Sequence, residues 1–292
     1  MRASINTAIN RQINKTNSRL NTQLGIGLLL SSTIGLLAYR RKSLSRSGVL
    51  GAILSGSSTF GLGGGSWGLS LIYFFVSSSI LSHFKAPQKE TTAADKFSKG
   101  NQRDLGQVFA NGGVGTLLSL AYAGARTQTV RELLEAGYVG SLATATADTW
   151  ATELGVLSTT PPRLITTGEI TAPGTSGGIT LSGTGAAASG ALSLGLVFHL
   201  LKRGKGSAHT PWIALISGLV GSLCDSYLGA TIQAMYFCPV CQKETERNIH
   251  SCGSQTRPLR GISWLNNDGV NFLATLSGAV IAMLLHWLST LY

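Results

Sequence analysis

Charge is what this sequence has least of. Only 12% of its 292 residues are charged, while 43% are hydrophobic and the mean hydropathy is +0.23. Soluble domains carry about 25% charged residues, so the composition argues against a soluble single domain. No Gly-x-x-x-x-Gly-Lys-Ser/Thr run occurs anywhere, which removes the phosphate cradle of the P-loop nucleotidases. No Ser-His-Asp or Cys-His arrangement stands out either. His83, His199, His209 and His286 are scattered and read as interfacial or packing residues.

What the chain has in excess is glycine, 37 residues of it, set in apolar runs. Eight such runs can be read, at 24–39, 48–62, 66–82, 107–123, 133–150, 177–200, 211–235 and 270–290. A run of about 20 apolar residues crosses a bilayer as a helix, and the runs at 48–62 and 133–150 are the shortest or most polar. Gly, Ala, Ser and Thr fill the middle runs, as close-packed membrane helices require. The expected fold is all-α, a polytopic membrane bundle of seven or eight transmembrane helices. Residues 24–292 would form one domain, with a hydrophilic loop at 236–262 inserted.

The net charge of +11 raises the question of nucleic acid. The basic residues occur in short interhelical blocks, so they read instead as topology signals that meet anionic headgroups, with no nucleic-acid partner. Eight helices starting from an outside N-terminus would place the blocks at 40–46, 85–103, 163 and 243–260 on the cytoplasmic face. Arg2, Arg11, Lys15 and Arg19 fall on the other. Residues 1–23 are polar, basic and free of acids; they read as a short amphipathic surface segment in preference to a transit peptide. The loop 83–106, with Lys85, Lys89, Lys96 and Lys99, reads as a solvated positive-inside loop.

The organising stretch is 147–185. It opens with Asp148 and Glu153 and runs through Pro161, Pro162 and Pro173. It closes on Gly174-Thr175-Ser176-Gly177-Gly178. Acids followed by a glycine-rich turn into a helix suggest a metal and a phosphate. Asp148 and Asp225 lie at the edges of apolar runs, where an ionised group costs at least about 2.5 kcal/mol, so they are functional candidates facing a polar cavity. Pairing with Arg103 or Arg163 is the structural alternative. Asp148-Thr149 and Asp225-Ser226 share a pattern. Glu153 is five residues from Asp148, so the helix breaks there, or Glu153 serves a second metal or the loop.

Three segments precede apolar runs: Asn111-Gly112-Gly113-Val114, Ser176-Gly177-Gly178-Ile179 and Asn267-Asp268-Gly269-Val270. Asn and Ser cap helices, and helix starts attract anions; packing is the alternative for any single glycine pair. Asp104, Gln107 and Asn111 share a helix face beside Arg103. Asp225, Gly229 and Gln233 share another, and Asn271 lies one turn beyond Asn267. Such parts suit phosphoryl transfer, which works by positioning and charge neutralisation. Mg²⁺ takes one or two carboxylates plus phosphate oxygens and water.

Cys238-x₂-Cys241-x₈-His250-x-Cys252 places four soft donors in one hydrophilic loop. That spacing is a reasonable tetrahedral, structural zinc site, with free thiols as the alternative. Cys224 sits in an apolar run and reads as packing.

Taken together, Arg103…Gln107…Asn111-Gly112-Gly113, Asp148-Thr149-Trp150-Ala151-Thr152-Glu153-Leu154-Gly155, Pro173-Gly174-Thr175-Ser176-Gly177-Gly178, Asp225-Ser226…Gly229…Gln233 and Asn267-Asp268…Asn271 resemble the phytyl-phosphate kinase family of tocopherol synthesis. The resemblance covers roughly residues 24–290. It implies a membrane enzyme that phosphorylates an isoprenoid monophosphate to the diphosphate, with CTP or another nucleoside triphosphate as donor. Under it, Asp148, Glu153, Asp225 and Asp268 would hold Mg²⁺, and Arg103 and the three helix starts would bind phosphates. The prenyl tail would lie among helices in lipid. The Cys/His loop departs from the family pattern. An ion-coupled transporter, with broken Gly-rich helices and mid-span acids, is the alternative, as are a lipid-phosphate cytidylyltransferase and a membrane scaffold with a zinc-dependent partner loop.

Overall fold

The computed structural model describes residues 2–93 and 102–291. Lys96 and Lys99 of the expected basic loop lie outside the described residues. Each apolar run contains a helix, although 177–180 and 232–235 lie outside theirs. The helices are α1 (Arg2–Arg40), α2 (Arg46–Ser58), which continues through a π turn (Thr59–Gly63), α3 (Gly65–His83), a short α4 (Ala86–Ala93), α5 (Leu105–Gly124), α6 (Gln128–Gly155), α7 (Leu181–Leu201), α8 (Thr210–Thr231) and α9 (Asn267–Ser289). Among the described residues, five are long and apolar enough to cross a membrane: residues Leu20–Arg40 of α1, with α3, α7, α8 and α9. That is fewer than the seven or eight spans expected from the sequence, because α2 is short and α5 and α6 do not combine the same length and apolarity. No break separates residues 1–23 from the first apolar run, because neither Gly nor Pro interrupts the chain there and α1 passes straight through.

Helix α6 is the centre of the bundle. Twelve consecutive residues, Ala136 through Ala147, are buried, and α3, α5, α7, α8 and α9 all pack against it. Burial on every side explains its unremarkable hydropathy: it faces protein, not lipid, so it can carry Ser141, Thr144 and Thr146. Each of these hydroxyls bonds to a carbonyl of its own helix, which removes the cost of burying it. At the crossing with α9, Gly140 and Gly278 meet backbone to backbone. A Cβ at Gly278 would come within 2.9 Å of the Gly140 carbonyl oxygen and collide with the Thr144 hydroxyl. Tyr138 closes the other side, stacked on Trp67 of α3 at 4.1 Å and donating its hydroxyl to the Trp67 carbonyl.

The helices alternate in direction, so α1, α3, α6 and α8 end where α2, α5, α7 and α9 begin. Two small β elements cover this end. Strands β1 (Arg163–Leu164) and β2 (Gly178–Ile179) pair antiparallel within the 156–180 loop. Beyond α8, strands β3 (Met235–Cys238), β4 (Lys243–Thr245) and β5 (Arg257–Arg260) form a sheet of order β4-β3-β5. Arg260 anchors it by donating to the carbonyls of Gly229 and Ala230 at the end of α8.

Gly278→Val should force α6 and α9 apart. Overpacking of this kind costs about 1–3 kcal/mol, and the thermal unfolding midpoint in detergent should fall accordingly. Gly25→Ala, where nothing lies within 4 Å of the added carbon, should leave it unchanged.

Candidate active site

The end capped by the β elements encloses a cavity of about 550 Å³. Its wall is built from the last turns of α3, α6 and α8, the first turns of α5, α7 and α9, the 173–180 loop and the 246–247 segment. Asp148 and Thr149 come from α6, Asp225 and Ser226 from α8, Arg103, Gln107 and Asn111 from the α5 start, and Asn267 and Asn271 from α9. Residues separated by more than 150 positions thus face one space. The motifs read from the sequence do converge on one end of the bundle, though not all of them at helix ends.

The acids sit where a negative charge is least at home. Asp148 and Asp225 lie nearly two turns before the C-terminal ends of their helices, in a wall shared with Glu246. Ser222 hydrogen-bonds Asp148. Asp225 lies within electrostatic reach of Asp148 and Glu246, and its Oδ2 is buried with no hydrogen-bond partner among the described residues. An orphaned carboxylate oxygen beside two further acids fits a hard divalent cation, which binds through oxygen. Arg163 does not neutralise them; it is exposed and donates to the Gly168 carbonyl at 2.7 Å.

Arg103 provides the opposite charge. It is held by backbone bonds with Ser43 and Ser45 in the α1–α2 turn, stands 5.7 Å from the Phe75 ring, and feels the charge of Glu153. Its Nη1 is buried without a partner among the described residues. A smaller apolar cavity of about 90 Å³, between α1, α2, α3 and α5, shares Arg103, Gln107, Asn111 and Thr149 with the large one. The guanidinium therefore stands on the boundary between a polar chamber and an apolar slot.

Several expected site residues take other places. Glu153 lines the cavity, yet α6 does not break before it. The helix continues to Gly155, and the cavity wraps around its end. The Glu153 carboxylate is already engaged, by Lys89 and by Ser82 at 2.6 Å, so it is an ion-pair partner here and not an open metal ligand. Asp104 is the N-cap of α5, accepting from the Gln107 amide at 2.9 Å, while Gln107 returns the bond. Helix α5 therefore starts at Leu105, and Asn111-Gly112-Gly113 lies inside it. These glycines serve packing: Gly112 lines the apolar slot, and Gly113 lies against Phe272. Asp268 occupies the first turn of α9, where its charge suits the dipole, but it is not part of the cavity wall.

Ser176-Gly177-Gly178 is likewise not a helix start, because Thr180 caps α7. It is a loop pinned onto the end of α8. Gly177 has φ +82°, open to glycine at little cost, and any Cβ there would strike Ala230. A Cβ on Gly229 would lie 2.6 Å from the Ser176 hydroxyl. Gln233 falls beyond the α8 terminus at Thr231 and is buried; it accepts from Ser176 at 3.0 Å and donates to Glu246 at 2.9 Å. Gly174, Thr175, Ser176, Gly177 and Gly178 do line the cavity. Of the three expected helix starts, only the Asn267 segment is one, with Asn266 as its cap. Glu246, Arg247, Lys89 and Ser222 were not foreseen. They lie in loops or at solitary positions with no spacing signal to mark them.

Next to the cavity, Cys238, Cys241, His250 and Cys252 bring four donor atoms within 4.8 Å of one another, a set that could hold a metal ion. The Sγ atoms of Cys238 and Cys252 are 3.7 Å apart. Tetrahedral zinc with Zn–S near 2.3 Å requires about 3.8 Å. The Cys241 amide donates to the Cys238 sulfur at 3.4 Å. Hydrogen bonds from Ser254 and His250 hold the Cys252 thiol down to about 6, whereas its bond to Cys252 pushes Cys241 up to about 11.

The sequence matches the family model described as integral membrane protein DUF92 over residues 29–279. It is 32% identical to Protein PGR of Arabidopsis thaliana over 273 residues, covering 87% of this chain and 93% of that one. An uncharacterized membrane protein of Methanocaldococcus jannaschii is 30% identical over 265 residues, with 90% and 94% covered. Protein VTE6, chloroplastic, also of Arabidopsis thaliana, is 28% identical over 244 residues, with 83% and 65% covered. No solved structure matches.

If Asp225 is a cation ligand, Mg²⁺ should raise the thermal midpoint of the wild-type protein. Saturation at a hundredfold excess over Kd adds about 2.7 kcal/mol. Asp225→Asn should be at least as stable without Mg²⁺ and gain nothing from it. An equal Mg²⁺ response in both proteins would remove Asp225 from the cation site.

Proposed function

We propose, from the premise that this chain belongs to the integral membrane protein DUF92 family, that it transfers the terminal phosphoryl group of a nucleoside triphosphate to an isoprenoid monophosphate, giving the diphosphate. The observation that carries the reading is the shared wall of the two cavities. One substrate end must be anionic and the other apolar to occupy both, and Arg103 stands at the junction. A lipid phosphate has that shape. The similarity to VTE6 and the resemblance of the motifs to the phytyl-phosphate kinases support an isoprenoid tail.

In this reading the acceptor phosphate pairs with Arg103, and Asn111 and Thr149 fix it at the mouth of the apolar slot. The donor's phosphates lie along the 173–178 loop and the α7 and α9 starts. Mg²⁺ held by Asp148 and Asp225 would neutralise charge on the donor phosphates. An oxygen of the acceptor phosphate attacks the terminal phosphorus of the donor; its bond to the leaving nucleoside diphosphate breaks as the new P–O bond forms. A phosphomonoester has a second pKa near ~6, so the attacking oxygen is already anionic and no general base is needed. Among the described residues, no histidine lines the cavity. The donor implied by the family resemblance is CTP or another nucleoside triphosphate. The donor set of the Cys/His cluster, three thiols and an imidazole, matches structural zinc.

The test is purified protein in detergent with Mg²⁺, labelled CTP and a panel of prenyl monophosphates, read out as lipid diphosphate. Wild type should form product, and Asp148→Asn should lose at least about a hundredfold, in line with charge-stabilising groups elsewhere. Arg103→Lys should weaken acceptor use more than donor use. A folded protein that makes no diphosphate from any nucleotide would refute the proposal.

A further inference from the structure

The Cys/His cluster and the cavity are not separate features, because one short segment belongs to both. Cys238 and Cys241 precede it, His250 and Cys252 follow it, and between them lie Glu246 and Arg247, which line the cavity. The segment leaves β4 of a small three-stranded sheet, with strands of 4, 3 and 4 residues, which Arg260 anchors on the end of α8. Small domains of this size gain folding free energy from a bound metal. From the segment a chain of bonds runs inward. Thr256 donates to the Arg247 carbonyl at 2.8 Å, Gln233 donates to Glu246, and Ser176 of the glycine-rich loop donates to Gln233. Within the cluster, His250 Nδ1 stands 3.3 Å from the Cys252 sulfur, beside the other three donors.

We propose that Cys238, Cys241, His250 and Cys252 bind one zinc ion whose task is to clamp Glu246 and Arg247 into the cavity wall, so that zinc loading sets how well the acid group there binds a divalent cation. Glu246 adds a carboxylate beside Asp225 only while the clamp is closed. Such coupling is reciprocal in free energy: a cation at Asp225 and Glu246 also tightens the zinc site. The coupling rests on the cation reading of Asp148 and Asp225; the clamp does not.

Full-length protein purified under reducing conditions should carry one zinc per chain by elemental analysis. Cys224→Ser should keep it, Cys252→Ser should lose it, and Cys252→His should restore it. Hydrogen exchange followed by mass spectrometry should then show that chelation speeds exchange in 242–249 and 173–180 while 185–200 stays protected. Mn²⁺ titrations followed by electron paramagnetic resonance should show binding at least fivefold weaker after zinc removal.

A reduced protein that neither holds nor takes up zinc overturns the proposal, as does exchange in 242–249 that ignores zinc. Mn²⁺ affinity that is indifferent to zinc overturns the coupling. No Mn²⁺ binding at all in zinc-loaded protein refutes the cation reading of the acids instead, while the exchange result still decides the clamp.

Discussion

A polar chamber inside this bundle depends on one helix whose middle is buried in protein on every side, and α6 is that helix, through Ala136–Ala147. Lipid tails give apolar side chains no reason to associate, so membrane helices hold together by close packing and hydrogen bonds. Here the packing is set by small residues on both sides of each contact. Thr144 is the pivot: Gly278 of α9 and Gly221 of α8 both close on it, and its hydroxyl bonds to the Gly140 carbonyl. Ala143 meets Gly218, and Trp150 packs on Gly190 of α7. With α7, α8 and α9 pulled against one axis, their ends are brought together whatever the loops do. Asp148 is the first residue beyond the buried run, so the geometry that buries α6 also delivers its acid to the chamber.

The electrostatics follow from the alternation of helix direction. Ends of α6 and α8 bring carboxylates and outward carbonyls, and starts of α5, α7 and α9 bring free amides and capping side chains. The chamber is therefore divided into a side that attracts cations and a side that attracts anions. Either side alone would be costly to bury. In the proposed reading a polyphosphate with its metal would satisfy both at once, and this complementarity supports the reading alongside the shared wall of the two cavities.

Much of this was legible in the sequence because burial in a membrane bundle leaves composition as its trace. Apolar runs rich in Gly, Ala, Ser and Thr gave the helices, and rare acids at their edges marked Asp148 and Asp225. The Cys/His spacing marked a cluster whose donors do converge. Helix starts were harder. Asn111-Gly112-Gly113 looks like a cap and a turn, but in a close-packed bundle glycine in mid-helix makes room for a neighbour such as Phe272. The true cap, Asp104, was visible as part of a capping box with Gln107 and was read as chemistry. Glu153 shows the same limit. Its partner Lys89 is 64 positions away, and no local pattern reveals that its charge is already matched. Glu246 was missed because it comes from a hydrophilic loop, where an acid costs nothing and so signals nothing.

The position of Arg103 bears on a problem that any lipid-phosphate kinase must solve. Its donor is soluble in water and its acceptor is not, so the two must meet without the tail leaving lipid or the nucleotide entering it. A cation standing where the polar chamber meets the apolar slot does this by geometry alone. In the proposed reading it would hold the acceptor's phosphate at the boundary while the tail stays among α1, α2, α3 and α5. Burial of the guanidinium would then make the arrangement selective. Its Nη1 has no partner among the described residues and is shut off from water, so an acceptor that brings an oxygen there regains a hydrogen bond. A lipid without the phosphate leaves it unmet. Leaving a buried charged group unpaired costs more than an ordinary missing hydrogen bond, which is about 1–3 kcal/mol. Discrimination between a lipid phosphate and its parent alcohol would then arise from the penalty on the wrong substrate as much as from attraction to the right one.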